Sequence, residues 1–140
     1  MKGKFTIFKK EWKNHIMDQG IKKLMRIIAD SAETNKLLLF MSVGTSDTLP
    51  DDTTLTALVA EVGIKYSIGS FSVNTVFPFD LELNIIIPDT DIIRPETVKE
   101  IGIWFGPSGT EFLFARATDV TGVLLPVATT VPVKYDLNII

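Results

Sequence analysis

Apolar residues near the N-terminus recur at steps of three and four: Ile16, Met17, Gly20, Ile21, Leu24, Ile27 and Ile28. On a helical wheel they share one side, while His15, Asp18, Gln19, Lys22, Lys23 and Arg26 share the other. This spacing predicts an amphipathic helix from about Trp12 to Ala29. Gly20 costs such a helix about 1 kcal/mol relative to alanine, so it marks either a helix start or a close packing contact. From Lys36 the texture changes to short β-prone runs. Lys36 to Val43 predicts a strand buried on both faces. Asp52 or Thr53 is positioned to cap a short helix through Leu55, Leu58 and Val59 to Glu61, with Gly63 ending it. Ile64 to Ser67 and Phe71 to Val76 predict strands separated by a turn or bulge at Gly69 and Ser70. Leu81 to Ile87 predicts a half-buried strand stopped by Pro88. Ile101 to Phe105 and Phe112 to Ala117 flank Gly106, Pro107, Ser108 and Gly109, the pattern of a β-hairpin. Val131 to Ile140 alternates as a last strand, with Pro132 suited to its first residues or to an edge.

All seven prolines lie from Pro50 onward, and Gly, Pro, Thr and Asp punctuate the later runs. The expected fold is therefore mainly β: a β-sandwich of short antiparallel strands with an N-terminal amphipathic α-helix. The 140 residues predict a single domain, with a helical segment over 1–30 and the sandwich over 36–140. Charge is uneven. Up to Arg26, eight basic residues oppose two acids, a net +6 that leaves −9 for the remainder. A basic head on an acidic body suits an anionic surface or the body of a neighbouring copy. The apolar side of the helix is expected to cover a sheet rather than lie on a membrane, because it carries no aromatic bulk beyond Trp12. No apolar run approaches the roughly 20 residues of a bilayer span, and no secretory signal is expected.

Candidate chemistry is thin. Cysteine is absent and His15 is the single histidine, so thiolate and multi-histidine metal sites are excluded and no cofactor is expected. Asp47, Asp51 and Asp52, and again Asp89 and Asp91, sit in turn-rich stretches that lack calcium-loop spacing, and their side chains favour turns. Ser108 lies in GPSG, a hairpin turn and not a nucleophile elbow. Trp104, Phe105, Phe112 and Phe114 could stack on sugars, but their strand spacing favours core packing. Only Arg116 is basic among them, so nucleic acid is not an expected partner. Glu100 and Arg116 are expected to face each other across the hairpin, either as a solvated pair that contributes roughly 0.2–1 kcal/mol or as an interface contact.

Three blocks in order resemble the N-terminal, baseplate-attaching domain of bacteriophage tail-collar fibre proteins and related short tail proteins. Gln19 to Leu24 resembles the N-x-G-L-x-x-L helix opening of that family. Met41 to Ser46, through Pro50 to Leu55 and Glu61, resembles its strand–GTG–loop–Pro–DTxL–x–E segment. Glu100 to Trp104, then Gly109 and Leu113 to Ala117, resembles its E-I-G-L-F hairpin ending in L-x-A-R-A. Asp47 departs from the threonine often found there, and the loop is shorter. The resemblance spans about residues 14–117. It implies a virion structural protein and no enzyme, placed in the tail apparatus as a fibre-attachment, collar or baseplate component. Its partners would be other virion proteins and its own copies, most plausibly as a trimer. It marks Gly20, Gly44, Pro50, Asp52, Leu55, Glu61, Glu100, Gly102, Trp104 and Arg116 as an assembly signature. Fibres of this family continue into a shaft and tip, so no host-binding tip is expected in this polypeptide. A head fibre or decoration protein, or a carbohydrate- or receptor-binding β-sandwich, are the alternative readings.

Overall fold

The computed structural model describes residues 2–22, 39–68, 70–74, 79–90, 96–106 and 110–139. Nine strands run through it: β1 (Lys2–Ile7), β2 (Lys10–Ile16), β3 (Leu39–Gly44), β4 (Glu61–Ser67), β5 (Ser70–Asn74), β6 (Phe79–Ile87), β7 (Glu96–Phe105), β8 (Phe112–Leu125) and β9 (Val131–Ile139). All pair antiparallel in one sheet of order β4-β3-β7-β8-β2-β1-β9-β6-β5. The mainly β architecture is thus the one expected. The two layers are halves of a single curled sheet. β4 and β5 are its opposite rims, yet they follow each other in the chain. A step from Ser67 to Ser70 reaches only about 10 Å, so the sheet must curl until its rims nearly meet, and β4 lies against β6.

Alternation decides what the curl encloses. Phe5, Ile7, Leu83, Ile85, Ile87, Val133 and Tyr135 point inward from one half. Met41, Val43, Ile101, Ile103 and Phe105 point inward from the other. They meet in one core, where the Phe5 and Tyr135 rings stand 4.6 Å apart and Phe105 stacks on Phe114 at 4.2 Å. Full burial of each large apolar side chain contributes about 1.5–3 kcal/mol. Burial also raises the Tyr135 hydroxyl pKa, against a 2.8 Å hydrogen bond donated by Asn14 Nδ2.

The helix expected over 12–29 is corrected at its start. Residues 10–16 are β2, helical backbone covers 18–22 among the described residues, and 23–29 lie outside them. Trp12 and Asn14 both point to the inner side, a period of two that served as well as a period near 3.6 over so short a stretch. The helical segment expected over 1–30 is corrected here too: Lys2–Ile7 is a strand, whose hairpin hides its signal. Phe8 and Lys9 form the two-residue connection, at φ 48° and 64°, between the paired Ile7 and Lys10. Both positive φ values fit a type I′ turn, which normally announces itself by Asn-Gly.

The short helix expected from Thr53 to Glu61 is also corrected. Residues 53–60 are turns and bends, and Glu61 opens β4, with Gly63 inside that strand at φ 72°. The amides of Val59 and Ala60 donate to the Glu100 carboxylate instead of to preceding turns of a helix. The remaining strands appear where expected, within the described residues. Residues 36–38, 75–76 and 107–109 and Ile140 lie outside them.

Candidate functional site

The second half of the sheet has a covered outer face. On β7, Ile101, Ile103 and Phe105 face the main core, so Glu100, Gly102 and Trp104 face outward. They are nevertheless buried, at 0% for Glu100 and 5% for Trp104, because the 45–60 loop folds back over them. Gly102 leaves room for the loop: a Cβ there would stand 2.9 Å from side-chain carbons of both Leu58 and Leu113. Met17, Leu58, Trp104 and Leu113 form a second, smaller apolar cluster, with Leu55 and Phe40 packed against it. Trp104 Nε1 donates to Ser42 Oγ at 2.7 Å beneath it.

An ion pair fastens the loop. Arg116 is 2% exposed. Its Nε donates to Glu100 Oε2 at 2.9 Å, and its Nη2 lies 2.8 Å from the same oxygen as an ion pair. Its Nη1 donates to the Leu49 carbonyl at 2.8 Å and its Nη2 to the Thr48 carbonyl at 2.9 Å. Glu100 in turn accepts from Val59 N at 3.1 Å and Ala60 N at 2.6 Å. One pair thus grips the loop beside its tip, at Thr48 and Leu49, and again at its far end, at Val59 and Ala60. Gly44 sits beside it: a Cβ would meet a Glu100 carboxylate oxygen and the Ala60 carbonyl. Leu49 is held at φ 52° ahead of Pro50, a conformation disfavoured for a residue before proline. The Arg116 bond to its carbonyl helps to hold it there.

The expected exposed pair of Glu100 and Arg116 is therefore corrected to a buried one. The cause is the loop, which strand spacing does not reveal. Desolvating two charges offsets much of their attraction, so a buried pair is better at specifying an arrangement than at adding stability. Every Glu100 oxygen is occupied and neither group reaches solvent. The chemistry on offer is holding, not proton transfer or nucleophilic attack.

The N-terminal segment docks on the same face. Met17 N donates to the Phe114 carbonyl at 2.8 Å, at an irregularity where β8 shifts register against β7. Gly20 packs flat on that strand, since a Cβ would stand 2.9 Å from Phe114 Cα; it is a close packing contact. Asp18 N donates to the Thr53 carbonyl, and Gln19 Nε2 to the Leu113 carbonyl. Asp52 accepts from Thr54 N at 2.9 Å and Thr54 Oγ1 at 2.6 Å, bonds that lower its carboxyl pKa.

Seven of the ten signature residues are thus in or directly against the covered face: Gly20, Gly44, Leu55, Glu100, Gly102, Trp104 and Arg116. Asp52 shapes the loop's turn and Pro50 lies at its exposed tip. Glu61 stands on β4, where it approaches Lys65 at 3.5 Å; the Lys65 ammonium lies 4.2 Å above the Trp104 ring. Sequence reasoning missed Met17, Ser42 and Leu58 as members of this site. A lone serine inside the apolar run Leu37 to Val43 was the available signal for Ser42. Trp104, Phe105 and Phe114 are buried and Phe112 is half-buried, so these four form no exposed platform for a sugar. No protein-family model, curated protein or solved structure matches this chain.

Proposed function

We propose that this chain is a virion structural protein of a tailed bacteriophage, working as a fibre-attachment, collar or baseplate component through homo-oligomeric assembly. One observation carries the reading. The described residues of the three blocks that resemble tail-collar domains meet on one face: Gln19 and Gly20 lie on Leu113 and Phe114, and the 45–60 loop is bound by Glu100 and Arg116. Residues of an assembly signature need only to hold a surface in place, and these hold a loop against a sheet through groups that are fully occupied. The loop tip, with Leu49 53% exposed, Pro50 and Asp51, is the part so presented to a neighbour.

The test is the composition of purified phage particles whose genome encodes this chain. Mass spectrometry is expected to find the chain in the particle, and an electron-microscopy map to place it in the tail, in copies consistent with a trimer. Its absence from particles overturns the reading. A position on the capsid would replace it with that of a head fibre or decoration protein.

A further inference from the structure

The outer face of the first half of the sheet is charged in bands. One row across it runs from Lys13 on β2 through Lys4 on β1 and Asp136 on β9 to Glu82 on β6. In the neighbouring row Lys2 is followed by Asn138 and Asp80. In these two rows bases occupy β2 and β1 and acids occupy β9 and β6, while the next row, Glu11, Thr6, Lys134 and Asn84, carries an acid on β2 and a base on β9.

Within these two rows like charges adjoin, and ion pairs inside the chain relieve only part of the repulsion. Lys4 and Lys13 stand directly opposite, a repulsive arrangement across strands. Lys4 reaches Glu11 at 3.3 Å, but Lys2 and Lys13 form no ion pair with a described residue. On the acidic side, among the described residues, Lys134 serves both Glu82, at 3.6 Å, and Asp136, at 3.5 Å. One Asp80 carboxylate oxygen is shut off from solvent with no hydrogen-bond partner among the described residues. The basic band is also concave, bordering a groove of about 560 Å³ between Lys2, Lys4, Lys13 and Asn138.

We infer that this face docks a second copy of the chain, with the basic band of each copy laid on the acidic band of the other. A face basic on one side and acidic on the other is complementary to itself after a half-turn about an axis along the strands between β1 and β9. That rotation carries Lys4 and Lys13 of each copy over Asp136 and Glu82 of its mate. Both repulsive bands then meet opposite charge. The overall charge favours this occupant over a polyanion, since a chain of net charge −3 and pI about 5.1 repels nucleic acid at long range. Ile86 and Phe8, 57% and 44% exposed, adjoin the charged rows at one end and add apolar contact.

The inference rests on the homo-oligomeric assembly proposed above but gives it a two-fold contact, so on this face copies associate in pairs and a three-fold contact would use another surface. Sedimentation velocity of the full chain tests it at roughly 0.05 M and roughly 0.5 M salt, since screening weakens exposed charge pairs. Wild type is expected to associate at low salt and to shift toward monomer at high salt. Lys4→Glu with Lys13→Glu is expected to remain monomeric at low salt, as is Asp80→Lys with Glu82→Lys. An equimolar mixture of the two variants is expected to restore the complex. Circular dichroism melts confirm that both variants are folded. An oligomer indifferent to both charge reversals overturns this face alone and leaves assembly standing. A wild type monomeric at both salts overturns the docking and the self-association together.

Discussion

The two halves of the curled sheet share one inner core but treat their outer faces in opposite ways. Across β3, β7 and β8 the outer face is roofed by the 45–60 loop and carries a second apolar cluster and a saturated ion pair. Across β1, β9 and β6 the outer face carries bases and acids that are only partly paired, through Lys4 with Glu11 and Lys134 with Glu82 and Asp136. Burial is the difference that matters. Under the loop, each polar group must be matched within the chain, because leaving one unmatched costs its full desolvation. On the open face water reaches the lysines of β1 and β2 and tolerates mismatch there, although Asp136 is 7% exposed and one Asp80 oxygen is shut off from solvent.

Removing one partner of the buried pair gives the largest expected effect. Arg116→Met strands the Glu100 carboxylate and frees the Thr48 and Leu49 carbonyls, and a loss of about 3–5 kcal/mol is expected in urea unfolding. Replacing both, with Glu100→Leu added, is expected to recover much of that loss. A double variant as weak as the single one would show that the loop contacts, and not the stranded charge, set the cost. Gly44→Ala comes next. Its new methyl meets Glu100 and the Ala60 carbonyl, and a cost of about 1–3 kcal/mol is expected from the same measurement. A neutral result would mean that the roof shifts easily.

The β1–β2 hairpin gives an effect of opposite sign. Replacing Phe8 and Lys9 by Asn and Gly relieves two side chains of a left-handed backbone, which costs about 1–2 kcal/mol per residue. A higher melting temperature is expected, and a lower one would refute the turn assignment. On the open face, burial holds the Asp136 carboxyl above its ordinary 3.8, while Lys134 opposes that shift. The native state therefore takes up this proton more readily than the unfolded chain does. The ionised group subtracts stability above its native pKa, and the deficit disappears as pH falls toward 3.8. Asp136→Asn is expected to exceed wild type in urea midpoint near neutral pH, with the two converging under acid. Parallel pH profiles would contradict this. Smallest of all, Lys13→Glu is expected to leave stability of the isolated chain within about 0.5 kcal/mol of wild type, since its face is open.

Much of the architecture was legible in local pattern. The hairpin of β7 and β8 announced itself through Gly106 and its flanking apolar runs, and β6 and β9 through strict alternation. The first hairpin was not legible, because Phe8 and Lys9 carry none of the usual turn chemistry and the conformation is imposed by strands that pair around them. The helix expected beyond Asp52 failed for a related reason: its amides found a distant carboxylate. At the site, Glu100 and Arg116 were recognised as partners, whereas their burial and their diagonal register, with Arg116 opposite Gly102 and Glu100 opposite Thr118, were invisible.

By itself, the sequence determined the β-rich class, the absence of cysteine chemistry and the concentration of positive charge before Arg26, because these follow from composition and short-range period. Only the tertiary structure decided which outward-facing side chains are roofed and which are open. That depends on where a loop returns to the sheet, a contact between Ala60 and Glu100 or Leu49 and Arg116 that no local period encodes. The same alternating strand yields a buried clamp in one half and a charged docking face in the other, according to what lies above it.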